Sequence, residues 1–527
     1  MSDLSGTWTL VRFIGHRDRV RLFVWIASIV VLVTVTVPSI KALFPTQDDL
    51  DKAAIASAGN DGVIVFNGPV QGLDTVGGQV AFQVGTATLV LVALMSLFMV
   101  TRCTRAEEES GRTELLRATP LGRHAEIGAA LVVAASMNLL VGGLVVAVLI
   151  GQRLPAGGSL VFGASSVALG MFFVAVALTT AQVTENTSVA SGLACAVLGA
   201  AFMLRALGDV GDGRLSWLSP IGWSQKTRPF AGDQWWPLLV PLVFIVVFLY
   251  LARTLSARRD IGAGLVQSRS GPARASRNLG SPLGLAVRLG RGTAATWVAA
   301  MFIIGLAFGS VANAISGFVG NSQGMKEFIA RMGGTTLVDA YLGTAVFMLA
   351  IIAAFYGVQS VQGLRSEERL LHAEQLLSTR TSRPAWVGGH VVVALVGSVL
   401  VLLAAGLGAA LPYAILTQDA GQVPRIVGAM LVYLPAVWLL VGLAVALFGL
   451  LPQAMGAAWA AMAAFFVVGF FGELLKVPAW VNDLSPFQQT PHLPAAPLTV
   501  LPLVVIVLLG VALLSIGILA FGRRDLG

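Results

Sequence analysis

Twelve separate apolar runs, each long enough to cross a bilayer, constrain this chain more than any other feature. A helix needs about 20 predominantly apolar residues to span the hydrocarbon core. There it must satisfy every backbone N–H and C=O within itself. In the first half the runs occupy approximately 22–43, 81–101, 125–150, 159–181, 187–206 and 235–253. In the second half they occupy 293–316, 339–359, 385–412, 425–450, 453–472 and 498–521. The run from Gln453 follows Pro452 almost directly, so the break at Leu451-Pro452 reads as a loop or as a kink. Charged residues make up only 11% of the 527 residues, against about a quarter in soluble proteins. That deficit excludes a cytosolic enzyme, a nucleic-acid-binding protein and a disordered chain. The expected fold class is an all-α polytopic membrane protein. The first run starts near Leu22, is too long for the core of a signal peptide and lacks a cleavage site, so it reads as a span.

An even number of spans returns both ends to one side, and the positive-inside rule identifies that side. We place the termini, 102–124, 182–186, 254–292, 360–384 and 522–527 in the cytoplasm. With the span ends that abut them, these segments hold 23 of the 34 Lys and Arg, while acidic residues split 13 to 13. The inside then carries a formal +10 and the outside −2, which together give the net +8. The basic excess is therefore a topology signal, and a nucleic-acid face is the poorer explanation. The expected domains are a first membrane half at 1–253, a basic cytoplasmic linker with an interfacial helix at 254–291, and a second membrane half at 292–527.

The chain repeats itself. The stretch after span 2 carries Arg105, Glu107, Glu108, Glu114, Leu116, Thr119 and Arg123. Shifted by 260 residues, the stretch after span 8 carries Arg365, Glu367, Glu368, Glu374, Leu376, Thr379 and Arg383 at the same places. Weaker echoes pair Trp25 with Trp297, Asp74 with Asp339, and Leu218-Ser219-Pro220 with Leu484-Ser485-Pro486. Six spans per copy make the repeats parallel. Composition predicts a helix up to Ala118, ended by Pro120, with Glu107 and Glu114 on one face. Glu108 and Arg112 form an i,i+4 pair in that helix. A short charged helix between two spans suits the docking of a soluble partner.

The segment from Thr104 to Arg123, together with Asn67 to Thr75 and Leu218 to Trp223, resembles bacterial ABC exporter permeases of the type-2 superfamily. Within them it resembles fused two-half antibiotic (tetronasin-type) efflux permeases. The likeness spans essentially the whole chain. The second charged copy departs from it: Gly111-Arg112 becomes Leu371-His372, and Pro120 becomes Arg380. The resemblance implies two six-helix bundles, cytoplasmic termini in the plasma membrane, and a coupling helix between spans 2 and 3 of each half. Those helices would meet a separate ABC ATP-binding subunit, two copies per permease, through Arg105, Glu107, Glu108, Arg112, Glu114, Arg365, Glu367, Glu368 and Glu374. It also implies short amphipathic helices at about 5–20 and 281–291. In the first, Leu10, Val11, Phe13 and Ile14 would lie in the interface, with Arg12, Arg17 and Arg19 at lipid heads. Spans 2 and 5 of each half would line the path of a hydrophobic or amphipathic substrate. They carry Met95, Phe98, Phe202, Met203, Met348, Phe355, Phe465, Phe466 and Phe470, whose adaptable side chains suit varied apolar ligands.

The chain holds no P-loop, so this chain is expected to bind no cofactor, and the resemblance implies that ATP and magnesium belong to the partner subunit. The five histidines are scattered without ligand spacing, which predicts no metal site. His390 reads as a packed histidine. The alternative function is a twelve-span proton-coupled drug transporter. The scarcity of ionisable residues near span centres argues against it.

Overall fold

The computed structural model describes residues 5–58, 61–113, 122, 124–259, 264–265, 274, 276–320, 337–471 and 478–524. Among these, the regular elements are helical and no strand occurs. Twelve helices are long and apolar enough to cross a membrane. Spans 1 to 6 are Arg19–Leu43, Val76–Glu109, Ala125–Gly151, Ala156–Val183, Thr187–Val210 and Trp236–Arg258. Spans 7 to 12 are Pro282–Ser310, Val338–Arg369, Arg383–Thr417, Gln422–Leu450, Pro452–Gly469 and Val500–Arg523. Each expected run therefore corresponds to one span. At Leu451 the backbone leaves the helix and a short 3-10 turn, Pro452–Met455, opens span 11, so this junction is a break between spans.

The chain forms two compact units, Met1–Gly271 and Pro272–Gly527. In the first, spans 2 and 4 are the most enclosed. Thr75 caps span 2 by accepting a hydrogen bond from the Gly78 amide, which satisfies a donor the helix leaves orphaned. Between spans 2 and 3, the Asn138 side-chain amide donates to Ser96 Oγ at 3.0 Å, both buried. Gly170 of span 4 lies so close to this pair that a Cβ would fall 1.8 Å from Asn138 Oδ1. Polar pairs and small residues hold helices together where lipid removes the hydrophobic drive between them.

In the second unit, spans 8, 9 and 10 are the most enclosed. Span 7 packs most heavily on span 9. A Cβ on Gly305 would sit 2.4 Å from the Ala405 carbonyl oxygen, and one on Gly309 would sit 2.2 Å from that of Ala409. The Gly305-x-x-x-Gly309 spacing is thus a close backbone contact.

The amphipathic helices differ between halves. The first is a separate helix, Thr7–Arg17, set off from span 1 at Asp18. Leu10 and Ile14 are buried, whereas Phe13 is exposed. The second is not separate: the helix runs unbroken from Pro282 to Gly320. No proline falls between 283 and 293, and Gly284, Gly290 and Gly292 are all accommodated within the one helix.

Candidate functional site

The first charged segment starts as the helix Arg105–Glu109 and stops at Gly111, which sits in the left-handed region at φ +72°. The expected continuous helix to Ala118 is therefore interrupted. The helical period no longer places Glu107 and Glu114 on one face, and Glu114 lies outside the described residues. The turn also redirects the predicted pair: Arg112 approaches Glu107 at 3.7 Å rather than Glu108. In the second half the helix ends at Arg369, and Leu371 adopts φ +61° before the helix His372–Leu377. Gly111 and Leu371 are 260 residues apart, so the repeat extends to the backbone turn.

Glu108 turns inward. It accepts from Arg105 Nη1 at 2.5 Å and, in a two-pronged pair, from Arg259 at 2.6 and 2.8 Å. Arg259 Nε donates to Gln182 Oε1 at 2.7 Å. One arginine past the end of span 6 therefore ties together the ends of spans 2 and 4. Arg105 also donates to the Glu185 carbonyl at 2.8 Å. Forked arginine–carboxylate pairs fix geometry as well as charge.

The second half repeats this clasp. Glu368 accepts from Arg365 at 2.9 Å and from Arg524, just past span 12. Arg524 Nη1 donates to the Phe448 carbonyl at the end of span 10, at 2.8 Å. Spans 8, 10 and 12 are joined as spans 2, 4 and 6 are. Sequence reasoning missed both Arg259 and Arg524. The signal was present: Arg258-Arg259-Asp260 and Arg523-Arg524-Asp525 follow the sixth span of each half.

The surroundings of the neighbouring carboxylate differ. Glu107 accepts from Arg17 at 2.8 Å, so Arg17 faces the bundle and not the lipid heads. Arg17 also pairs with Asp18, which Arg102 reaches at 3.0 Å. Burial works to raise the Asp18 pKa, but hydrogen bonds from Arg17 and Arg102 outweigh it and hold the carboxyl below its ordinary value. In the second half, among the described residues, Glu367 pairs with the Nδ1 of His372 at 3.2 Å and with no arginine. In the register that pairs Arg19 with Arg291, Asp18 becomes Gly290.

Arg105 and Glu108 have side-chain exposures of 1% and 8%, so they hold the segment to the spans and do not present a surface. The exposed tips include Glu109, Ser110 and Arg112 in the first half, and Arg369, Leu370, Leu371, His372 and Glu374 in the second.

The expected path residues divide. Met95 is fully buried in the core of the first half and lines no surface. Phe98 and Met203 are exposed. Phe202 packs on Phe66 at 6.2 Å and under the Arg205 guanidinium at 4.6 Å. Phe355 meets Trp459 and Phe466 at 6.1 and 6.0 Å, so spans 8 and 11 touch through aromatic rings. Phe465 packs near Phe487, and Met348 is half-buried against the second core. The side chain of Phe470 lies outside the described residues. Arg205 is wholly buried, pairing with Asp209 and donating to the Ile64 and Val65 carbonyls at 3.3 and 2.6 Å. His390 is packed against Trp386, whose carbonyl its Nδ1 meets at 3.1 Å. Among the described residues, no cluster of three or more His, Cys, Asp or Glu forms a metal-binding group.

Comparison with known proteins places the duplicated architecture in a family. The model for the C-terminal domain of the multidrug efflux system permease Rv1217c matches residues 279–522. The whole chain is 38% identical to the multidrug efflux system permease protein Rv1217c of Mycobacterium tuberculosis (strain ATCC 25618 / H37Rv). That alignment covers 100% of this chain and 96% of the relative. The chain belongs to the multidrug efflux permease family. The matched domain of this permease contains the second clasp from Arg365 to Glu368 but ends before Arg524. The full-length alignment of the two permeases includes both copies.

Proposed function

We propose that the chain is the membrane permease of an ATP-driven exporter of the type-2 ABC superfamily, of the tetronasin type, which moves hydrophobic or amphipathic compounds out of a bacterial cell. Its motor is a separate ATP-binding subunit, two copies per permease, which holds the ATP and magnesium. The termini and the charged segments face the cytoplasm. The observation that carries this reading is the duplicated clasp. In each half one arginine joins an exposed tip to the ends of three spans. A push on the tip is therefore delivered to all three spans together, as a coupling element requires. Glu107, Glu108, Glu367 and Glu368 act by holding the tip, and Arg112, Glu374 and Leu371 act by touching the partner. The aromatic and methionine side chains of spans 2, 5, 8 and 11 contact the moving compound.

The test is the energy source. The full chain is reconstituted in vesicles with a candidate ATP-binding subunit from the same cell, and export of a fluorescent amphipath is followed. Export that needs ATP and that subunit is expected. Export driven by a proton gradient, without either, would replace this reading with a proton-coupled transporter.

A further inference from the structure

The second half has a cavity of about 390 Å³ at the end of its bundle opposite the clasp. Its walls are Leu439 of span 10 and Leu501, Val505, Ile506 and Leu509 of span 12. Its rim carries Asp483 and Gln489. The volume suits the apolar body of a small organic molecule. Asp483 is exposed and makes no ion pair among the described residues. Its backbone carbonyl accepts from the Gln489 side-chain amide at 3.2 Å, which ties together the two rim residues.

The corresponding loop of the first half has a different composition. Leu484-Ser485-Pro486 repeats Leu218-Ser219-Pro220 at a spacing of 266 residues. At that spacing Asp483 replaces Trp217, Gln489 replaces Trp223, and Leu501 and Pro502 replace Trp235 and Trp236. In the first half Trp217 and Trp236 stack at 5.3 Å, and Trp223 stacks on Phe244 at 5.0 Å. Lys226 lies 5.9 Å over Trp217. In that register the loop of the first half is rich in indole rings with a cation beside them, whereas the loop of the second half carries aliphatic residues and a carboxylate.

We propose that this cleft binds lipophilic cations, with the apolar body between spans 10 and 12 and the positive charge at Asp483. A lipid acyl chain would use the walls but not the carboxylate. A neutral or anionic amphipath would gain nothing from Asp483, so the rim charge selects the cation. This assigns a substrate class within the efflux reading and rests on it only in treating the bound cation as a transported compound.

The experiment measures binding of radiolabelled tetraphenylphosphonium to the full chain in phosphatidylcholine nanodiscs. Asp483→Asn is expected to weaken binding about fivefold, as for loss of one partly solvated ion pair. Leu501→Trp, which restores an indole as in the first half, is expected to abolish it. Both positions are exposed, and an unchanged melting temperature confirms that each variant is folded. Competition by neutral triphenylphosphine oxide is expected to be weak and indifferent to Asp483→Asn. Affinity unchanged by Asp483→Asn overturns the proposal. Sensitivity to Leu501→Trp alone also overturns it, because an acyl chain would behave that way. Asp483-dependent binding without ATP-dependent export supports the cleft and rejects the efflux reading instead.

Discussion

In the first half both Glu107 and Glu108 pair with arginines from other helices. In the second half only Glu368 does so, and Glu367 turns to His372 five residues along. The shared part, a carboxylate held between the arginine three residues before it and an arginine past the sixth span, is what duplication kept. The part that differs depends on the amphipathic helix. Where that helix is separate, its last residues bring Arg17 and Asp18 to the segment. Where it runs straight into span 7, Gly290 stands in the place of Asp18 and brings no charge. The two tips are therefore anchored to different degrees. They also differ in composition: the second exposes Leu370 and Leu371 among charged and polar residues, whereas the first exposes no large apolar side chain among its described residues.

The largest effect is expected at the clasps themselves. Glu108→Ala strands a buried Arg105, and removing one partner of a buried pair costs about 3 kcal/mol or more. Glu368 and Arg524 are more open, with exposures of 16% and 17%, so Glu368→Ala is expected to cost less than half as much. Thermal melting of the purified variants checks the order, and equal losses would mean that the two clasps are equally buried. Next comes Asp18→Asn, expected to cost about 2 kcal/mol through unsatisfied arginines. The Asp18 pKa is lowered in the folded chain, so its contribution is complete above the ordinary carboxylate range. It is lost as pH falls through the lowered value. Wild type should therefore lose melting temperature in acid more steeply than Asp18→Asn, and parallel acid limbs would remove Asp18 from the first anchor. The smallest effect is at the turns. Gly111→Leu is expected to destabilise by about 1 kcal/mol, because a Cβ there meets nothing and only the left-handed backbone resists it. Leu371→Gly is expected to stabilise by less than about 1 kcal/mol, since relief of the backbone is partly offset by a freer unfolded chain.

The twelve spans were legible because hydropathy sums over 18 or more residues, and no single side chain decides it. The repeat was legible because charged residues between spans are few enough for a register to stand out. The clasp was half legible. Arg105, Glu108, Arg365 and Glu368 lie within one short window, whereas Arg259 and Arg524 lie 151 and 156 residues away from their carboxylates. Only the duplicated Arg-Arg-Asp hinted at them. The turn at Gly111 was misread because the segment's Glu, Arg and Leu content favours helix, and one glycine inside a helical pattern is often tolerated. The burial of Arg205 was not legible. The residue is buried because the helix Asp61–Asn67 folds over it and offers carbonyls, which hydropathy does not reveal.

The central claim is that the exposed tips, and not the buried clasps, meet the ATP-binding subunit. Site-directed cross-linking tests it most directly, in a chain carrying Cys103→Ser and Cys195→Ser. Arg112→Cys and Glu374→Cys are each expected to cross-link to the co-purified ATP-binding subunit, while Asp483→Cys at the opposite end does not. Absence of cross-links at both tips, or equal cross-linking from Asp483→Cys, would contradict the account.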